Sequence, residues 1–117
     1  MGDCVFCDIV NGLAAKPKRY RECGVDPVSA FEPLNPVTPG HTLIVPWEHV
    51  EDARTDEDVS ALCMRWASIA ALSMHSSNII TSIGAAATQS VTHLHLHVVP
   101  RREGDGLALP WTGQVTA

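Results

Sequence analysis

The spacing of apolar and polar positions changes period several times along this chain, and each change predicts an element. Near the end, His93, His95 and His97 interleave with Leu94, Leu96 and Val98. Successive side chains of a strand point to opposite faces, so Val91–Pro100 is expected to be a strand with a row of imidazoles on one face and aliphatic groups on a core face. A second strand is expected over Asn78–Ile83, joined to it by the small-residue loop GAAATQS, residues 84–90. Upstream, Pro39–Pro46 (PGHTLIVP) reads as a turn feeding an apolar β run that Pro46 stops. Val28–Glu32 reads as a strand broken by Pro33 and Pro36, and a short strand is expected near 19–23.

The period lengthens to 3.6 residues through Val59, Leu62, Cys63, Trp66, Ile69, Ala70 and Ser73, which predicts a core-facing helix reaching about His75. Thr55, with Asp58 three positions on, resembles its N-terminal capping box, and Asp56, Glu57 and Asp58 put negative charge at the positive end of the helix dipole. Residues 4–11 (CVFCDIVN) read as a short helical turn ended by Gly12. One dominant helix, a short N-terminal helix and several short strands give an α+β domain with a mainly antiparallel sheet. With 117 residues there is room for one domain, 1–117, comprising an N-terminal turn (1–12) and a loop-like C-terminal tail (101–117).

Charge narrows the partners. The formal net charge of −5 and a pI of about 5.6 speak against a nucleic-acid surface, although a local pocket for one small anion stays compatible. No apolar run approaches the roughly 20 residues of a membrane span, and residues 1–15 lack the basic and apolar regions of a signal peptide. The expectation is a soluble cytoplasmic protein without a membrane partner. In a reducing compartment the pair Cys4–Cys7 favours metal or redox chemistry over a structural disulfide. Cys63 falls on the helix's apolar face, and Cys23 has no assigned role.

Two cysteines at this spacing can hold one zinc ion, which needs two further ligands drawn from His41, His49, His75, His93, His95 and His97. A redox pair or two buried thiols are the other readings. The histidine row does not suit a single metal, because His93 and His97 would lie about 13 Å apart along a strand. As core residues, three imidazoles would need many buried hydrogen bonds. The spacing is used fully only if His95 acts as a nucleophile while its neighbours fix its tautomer and bind an anion. The preceding small-residue loop lets a substrate approach the backbone, and Gln89 and Ser90 add an amide and a hydroxyl suited to a phosphoryl oxygen.

The stretch QSVTHLHLHVVP resembles the signature of the histidine triad (HIT) superfamily, His-φ-His-φ-His-φ-φ with φ apolar. The resemblance runs through CVFCDIVNG, LNPVTPGHTLIVPWEH and GDGLALPW in the same order, and is to bacterial zinc-containing nucleotide-binding members. It implies that His95 attacks the α-phosphorus of a nucleoside phosphoramidate or related conjugate, forming a covalent nucleotidyl-histidine that water or another acceptor resolves. It further implies that His97 binds a phosphate oxygen, that Gln89 and Ser90 line the phosphate and leaving-group side, and that a main-chain carbonyl, of His97 or an equivalent group, orients His95. His41 would support the triad from behind, and Cys4, Cys7, His49 and His93 would hold a structural Zn2+. A homodimer is implied, with Trp111 bordering the pocket.

The sequence departs from the family pattern at Pro33, where a ribose-binding Asp or Asn is usual and for which Glu32 or Asn35 are the nearby substitutes. It departs again at Ser82, where a phosphate-contacting Asn is common. Dinucleoside polyphosphate hydrolysis is the alternative within the class. A non-catalytic nucleotide- or partner-binding module and a hydrolase with catalytic zinc are the alternatives outside it.

Overall fold

The computed structural model describes residues 4–109; Trp111 and the other tail residues past Leu109 lie outside the described residues. In chain order the elements are helix α1 (Val5–Val10), strands β1 (Arg21–Glu22), β2 (Val28–Phe31) and β3 (Thr42–Pro46), helix α2 (Glu57–Ala71), strand β4 (Ser77–Ile80), a 3₁₀ turn (Ala85–Ala87) and strand β5 (Leu96–Pro100). The strands form one antiparallel five-stranded sheet in the order β1-β2-β3-β5-β4. The α+β expectation with its antiparallel sheet is therefore met.

Alternation of side chains splits the core into two layers. On one face Val28, Ala30, Ile44, Leu96 and Val98 pack with Cys63 and Ala67 of α2, and Cys23 and Leu94 join them. On the other face Phe31, Leu43 and Val45 meet Phe6 and Ile9 of α1. Both free cysteines of the larger layer are buried, and burial pushes the Cys63 thiol up to about 12. The turn before β3 needs a glycine. Gly40 has φ +91°, and a Cβ there would sit 3.0 Å from Cγ of Pro100.

Two expectations about element ends are corrected. Asp56, not Thr55, caps α2, its carboxylate accepting from the main-chain N–H of Asp58 (2.9 Å) and Val59 (3.2 Å). Thr55 is occupied one turn earlier, its hydroxyl accepting from Asp52 N–H at 3.2 Å. The helix ends at Ala71, short of His75, and Ile69 remains 42% exposed although it fits the apolar period. The strand expected over Val91–Pro100 begins only at Leu96. The backbone before it is held by other partners: Leu94 N–H donates to Val50 C=O (2.8 Å), and the Thr81 hydroxyl donates to His95 C=O (2.8 Å). Leu94, Leu96 and Val98 are all buried nonetheless, so the alternation that separates histidines from core survives without a continuous ladder.

Candidate active site and metal centre

Protein carbonyls and N–H groups fix the protonation of each triad ring, because a carbonyl can only accept and a main-chain N–H can only donate. His93 Nε2 lies 2.8 Å from Pro46 C=O, so that nitrogen carries the hydrogen and Nδ1 keeps its lone pair. His95 Nδ1 lies 2.8 Å from His93 C=O, so Nδ1–H donates and Nε2 holds the lone pair. The carbonyl that orients His95 is thus that of His93, two residues upstream, rather than that of His97. His41 Nδ1 accepts from Val37 N–H (3.1 Å), which leaves the hydrogen of the neutral ring on Nε2. That Nε2 is 3.0 Å from His97 Nδ1 and donates to it, so His97 in turn carries its hydrogen on Nε2.

Burial keeps these rings neutral. Desolvation lowers the pKa of His41 and His95, opposed weakly by Glu32 and by the His93 carbonyl respectively. Burial, then the neighbouring His95 and His41, push His97 down to about 4. Phe6 packs edge-on against both His93 and His95, with ring centroids 5.8 and 5.0 Å away. The short N-terminal helix thereby covers one side of the triad.

His95 and His97 open into a cavity of about 470 Å³ whose lining also includes His41, Ser82, Ser90 and Thr88. Its floor comes from two adjacent strands, with Ile80 paired opposite His97 and Asn78 opposite Val99. The structure therefore brings Ser82 and Ser90 to the triad. It does not bring Gln89 or Asn35. Gln89 is buried and its amide is committed: Nε2 donates to Glu51 C=O (2.8 Å) and Val91 C=O (3.1 Å), and Oε1 accepts from Gly84 N–H (2.9 Å). It shapes the 84–90 loop and does not line the cavity. Asn35 is exposed in the β2–β3 connection and is not one of the cavity's lining residues. Trp111 falls outside the described residues.

Sequence reasoning missed three groups here. Val37 N–H sets the His41 tautomer, and no side-chain pattern encodes a main-chain donor. Thr81 holds the His95 carbonyl, and its place beside Ser82 gave no sign of that role. Arg101 lines the cavity, and the signal was Asp105 four residues later.

The four metal-type residues also converge. Among the described residues, the ligand atoms of Cys4, Cys7, His49 and His93 lie within 4.8 Å of one another. His93 Nδ1 is 3.4 Å from Cys4 Sγ, 3.5 Å from Cys7 Sγ and 3.1 Å from His49 Nδ1, and Cys7 Sγ is 3.2 Å from His49 Nδ1. Bonds of about 2.0–2.3 Å to a tetrahedral zinc would set ligand atoms roughly 3.3–3.8 Å apart, so the donor set fits that ion. The local fold explains the pairing. Cys4 is the N-cap of α1 and its sulfur accepts from Cys7 N–H (3.3 Å), which turns both sulfurs to the same side. Burial, then the Cys4 side chain, push the Cys7 thiol up to about 11, a conflict that a bound divalent cation relieves by taking the thiolates as ligands.

Alternating histidines, the middle one with a free ring nitrogen facing a cavity and the first turned toward a Cys2His2 cluster, define a site of the histidine triad class. The HIT domain family matches residues 24–104, and the chain belongs to that family. It is 40% identical over 116 residues to an HIT-like protein of Borreliella burgdorferi, covering 91% of this chain and 81% of that one. The adenylylsulfatase HINT3 of Arabidopsis thaliana is 34% identical over 112 residues, covering 90% of this chain and 55% of its own length. A zinc-bound histidine triad family protein from Mycobacterium smegmatis shares the fold with a TM-score of 0.77 at 36% identity, covering 90% of this chain and 79% of that one.

Proposed function

We propose that this protein is a nucleotidyl hydrolase or transferase acting on the α-phosphorus of nucleoside phosphoramidates or related nucleotide conjugates, with His95 as nucleophile. The observation that carries the reading is the tautomer of His95: with Nδ1–H spent on the His93 carbonyl, the Nε2 lone pair is the group left for the cavity. In the first step Nε2 forms a bond to phosphorus while the P–N or P–O bond to the leaving group breaks, and the leaving group departs with the electron pair and takes a proton. Water then attacks phosphorus and releases a proton to solvent, which balances the one the leaving group took, while the phosphorus–Nε2 bond breaks and the lone pair returns to His95.

Negative charge on the phosphoryl oxygens is met by His97 Nε2–H, which the chain Val37 N–H to His41 to His97 presents as a donor. Ser82 and Ser90 supply hydroxyls at the same cavity. Pro33 offers no group for ribose hydroxyls, so nucleoside discrimination rests on other contacts. Cys4, Cys7, His49 and His93 would hold a structural Zn2+, which when bound cross-links α1 to the segment carrying His95.

The whole chain is read as one HIT domain. β4 is an edge strand, and Met64, Ile69 and Leu72 on or next to α2 are 46%, 42% and 83% exposed, and each of these features supports a homodimer. No described helix is long and apolar enough to cross a membrane. Hydrolysis of adenosine and guanosine 5′-phosphoramidates, followed by phosphorus NMR for wild type and His95→Ala, tests the assignment. Turnover by wild type that falls at least about a thousandfold in the variant is expected; equal turnover by both proteins would overturn it.

A further inference from the structure

The cavity has a second polar end that the triad chemistry does not use. Its floor is two parallel rows of side chains: Asn78, Ile80 and Ser82 on and just past β4, and His97, Val99 and Arg101 on and just past β5. Residues at every second position share a face, and the register sets Ile80 beside His97 and Asn78 beside Val99. The floor thus runs from the phosphoryl end at His97 and Ser82, over Ile80 and Val99, to Asn78 and Arg101. Arg101 is four positions beyond His97, about 13 Å of strand.

That far end is rigidly built. The Asp105 carboxylate accepts from Arg101 Nε (2.8 Å) and Nη2 (3.1 Å), and from the main-chain N–H of Arg102 (3.1 Å) and Leu107 (3.0 Å). Arg101 Nη2 also donates to Leu107 C=O at 2.8 Å, so the same knot holds residues 107–109 as a cavity wall. Arg101 Nη1 donates to Asn78 Oδ1 at 2.6 Å. A guanidinium cannot accept, which fixes the amide: Oδ1 faces Arg101, and Nδ2 with its two hydrogens has no partner among the described residues. One Nη1 hydrogen of Arg101 is in the same position.

We infer that Asn78 and Arg101 form a subsite for a hydrogen-bond-accepting group, such as a carboxylate, on the leaving group of the substrate. This rests on the reading of His95 as nucleophile. The end presents donors, and its Arg101 charge is matched by Asp105, so it suits a small acceptor rather than a polyanion. The described lining contains no phenyl, phenol or indole ring on which a base could stack, and the stretch between the polar ends is aliphatic. A linear aliphatic substituent ending in an acceptor fits that description better than a nucleobase.

The test compares adenosine 5′-phosphoramidate with its N-(4-carboxybutyl) derivative, whose linear aliphatic arm carries a carboxylate from the leaving amine past Ile80 and Val99 toward Asn78 and Arg101. The variant is Asn78→Asp, which keeps an oxygen for Arg101 and replaces the free donors by an acceptor; Asn78→Ala is the second variant. The ratio of kcat/KM for the carboxybutyl compound over the simple one should fall roughly ten- to hundredfold in Asn78→Asp, the range for losing a hydrogen bond to a charged group. An unchanged ratio, or an equal loss on both compounds, overturns the subsite. If wild type turns over neither compound, the catalytic reading fails by itself. The Kd ratio of the two compounds, measured in a His95→Ala background with and without Asn78→Asp, then still decides the subsite in the same way.

Discussion

At the residue scale, each ring of the triad owes its state to a main-chain group: Pro46 C=O for His93, His93 C=O for His95, and Val37 N–H, through His41, for His97. Replacing His41 by Phe removes the donor to His97 Nδ1 while filling similar space. Turnover should then drop roughly 10–100-fold, mainly in kcat, the range seen when a partner that orients a working histidine is lost; steady-state kinetics reads it. His97 should stay neutral until about pH 4. Its folded-state value lies below the 6.5 of a free imidazole, so on acidification the unfolded chain takes the proton first. The stability associated with neutral His97 is complete above about pH 6.5 and is lost as pH falls toward 4. Imidazole NMR titration checks this, and a His97 midpoint near 6.5 would contradict it. The residues themselves were legible in the sequence, because a row of imidazoles on one face needs an explanation. Gln89 was misjudged for a physical reason: its type says what it can bond, not that Glu51, Val91 and Gly84 already claim it.

At the element scale, periodicity located α2 and the strands but not their ends. The alternation through Leu94, Leu96 and Val98 is a statement about burial, and burial persists where the ladder does not, so the strand was read five residues too early at its start. At α2, Thr55 and Asp56 are both competent caps, and the choice depends on Thr55 being engaged by the turn at Asp52. Asp56→Ala should destabilise the protein by about 1 kcal/mol, read as a shift in the denaturant midpoint at constant m. Thr55→Ala should cost less, since it leaves the cap bonds to Asp58 and Val59 in place.

At the scale of the molecule, the Cys2His2 cluster brings together residues from three distant parts of the chain: the N-cap of α1, the segment after β3 and the approach to β5. Cys4–Cys7 alone was legible as a metal pair. Which histidines complete it was not, since six candidates were available and only the resemblance selected His49 and His93. The protein is expected to purify with about one zinc ion per chain, and stripping it with a strong chelator should lower the thermal midpoint and loosen α1. Because Phe6 of α1 packs on His95, activity should fall with it, and zinc addition should restore both. A metal-free protein of unchanged thermal midpoint would remove the structural role.

The most direct measurement is a rapid quench of the reaction at alkaline pH, which preserves phosphorus–nitrogen bonds, followed by intact-mass and peptide analysis. A single nucleoside monophosphate adduct is expected, mapped to His95 and absent in His95→Ala. An adduct on His97, or turnover with no protein adduct at any time, would contradict it.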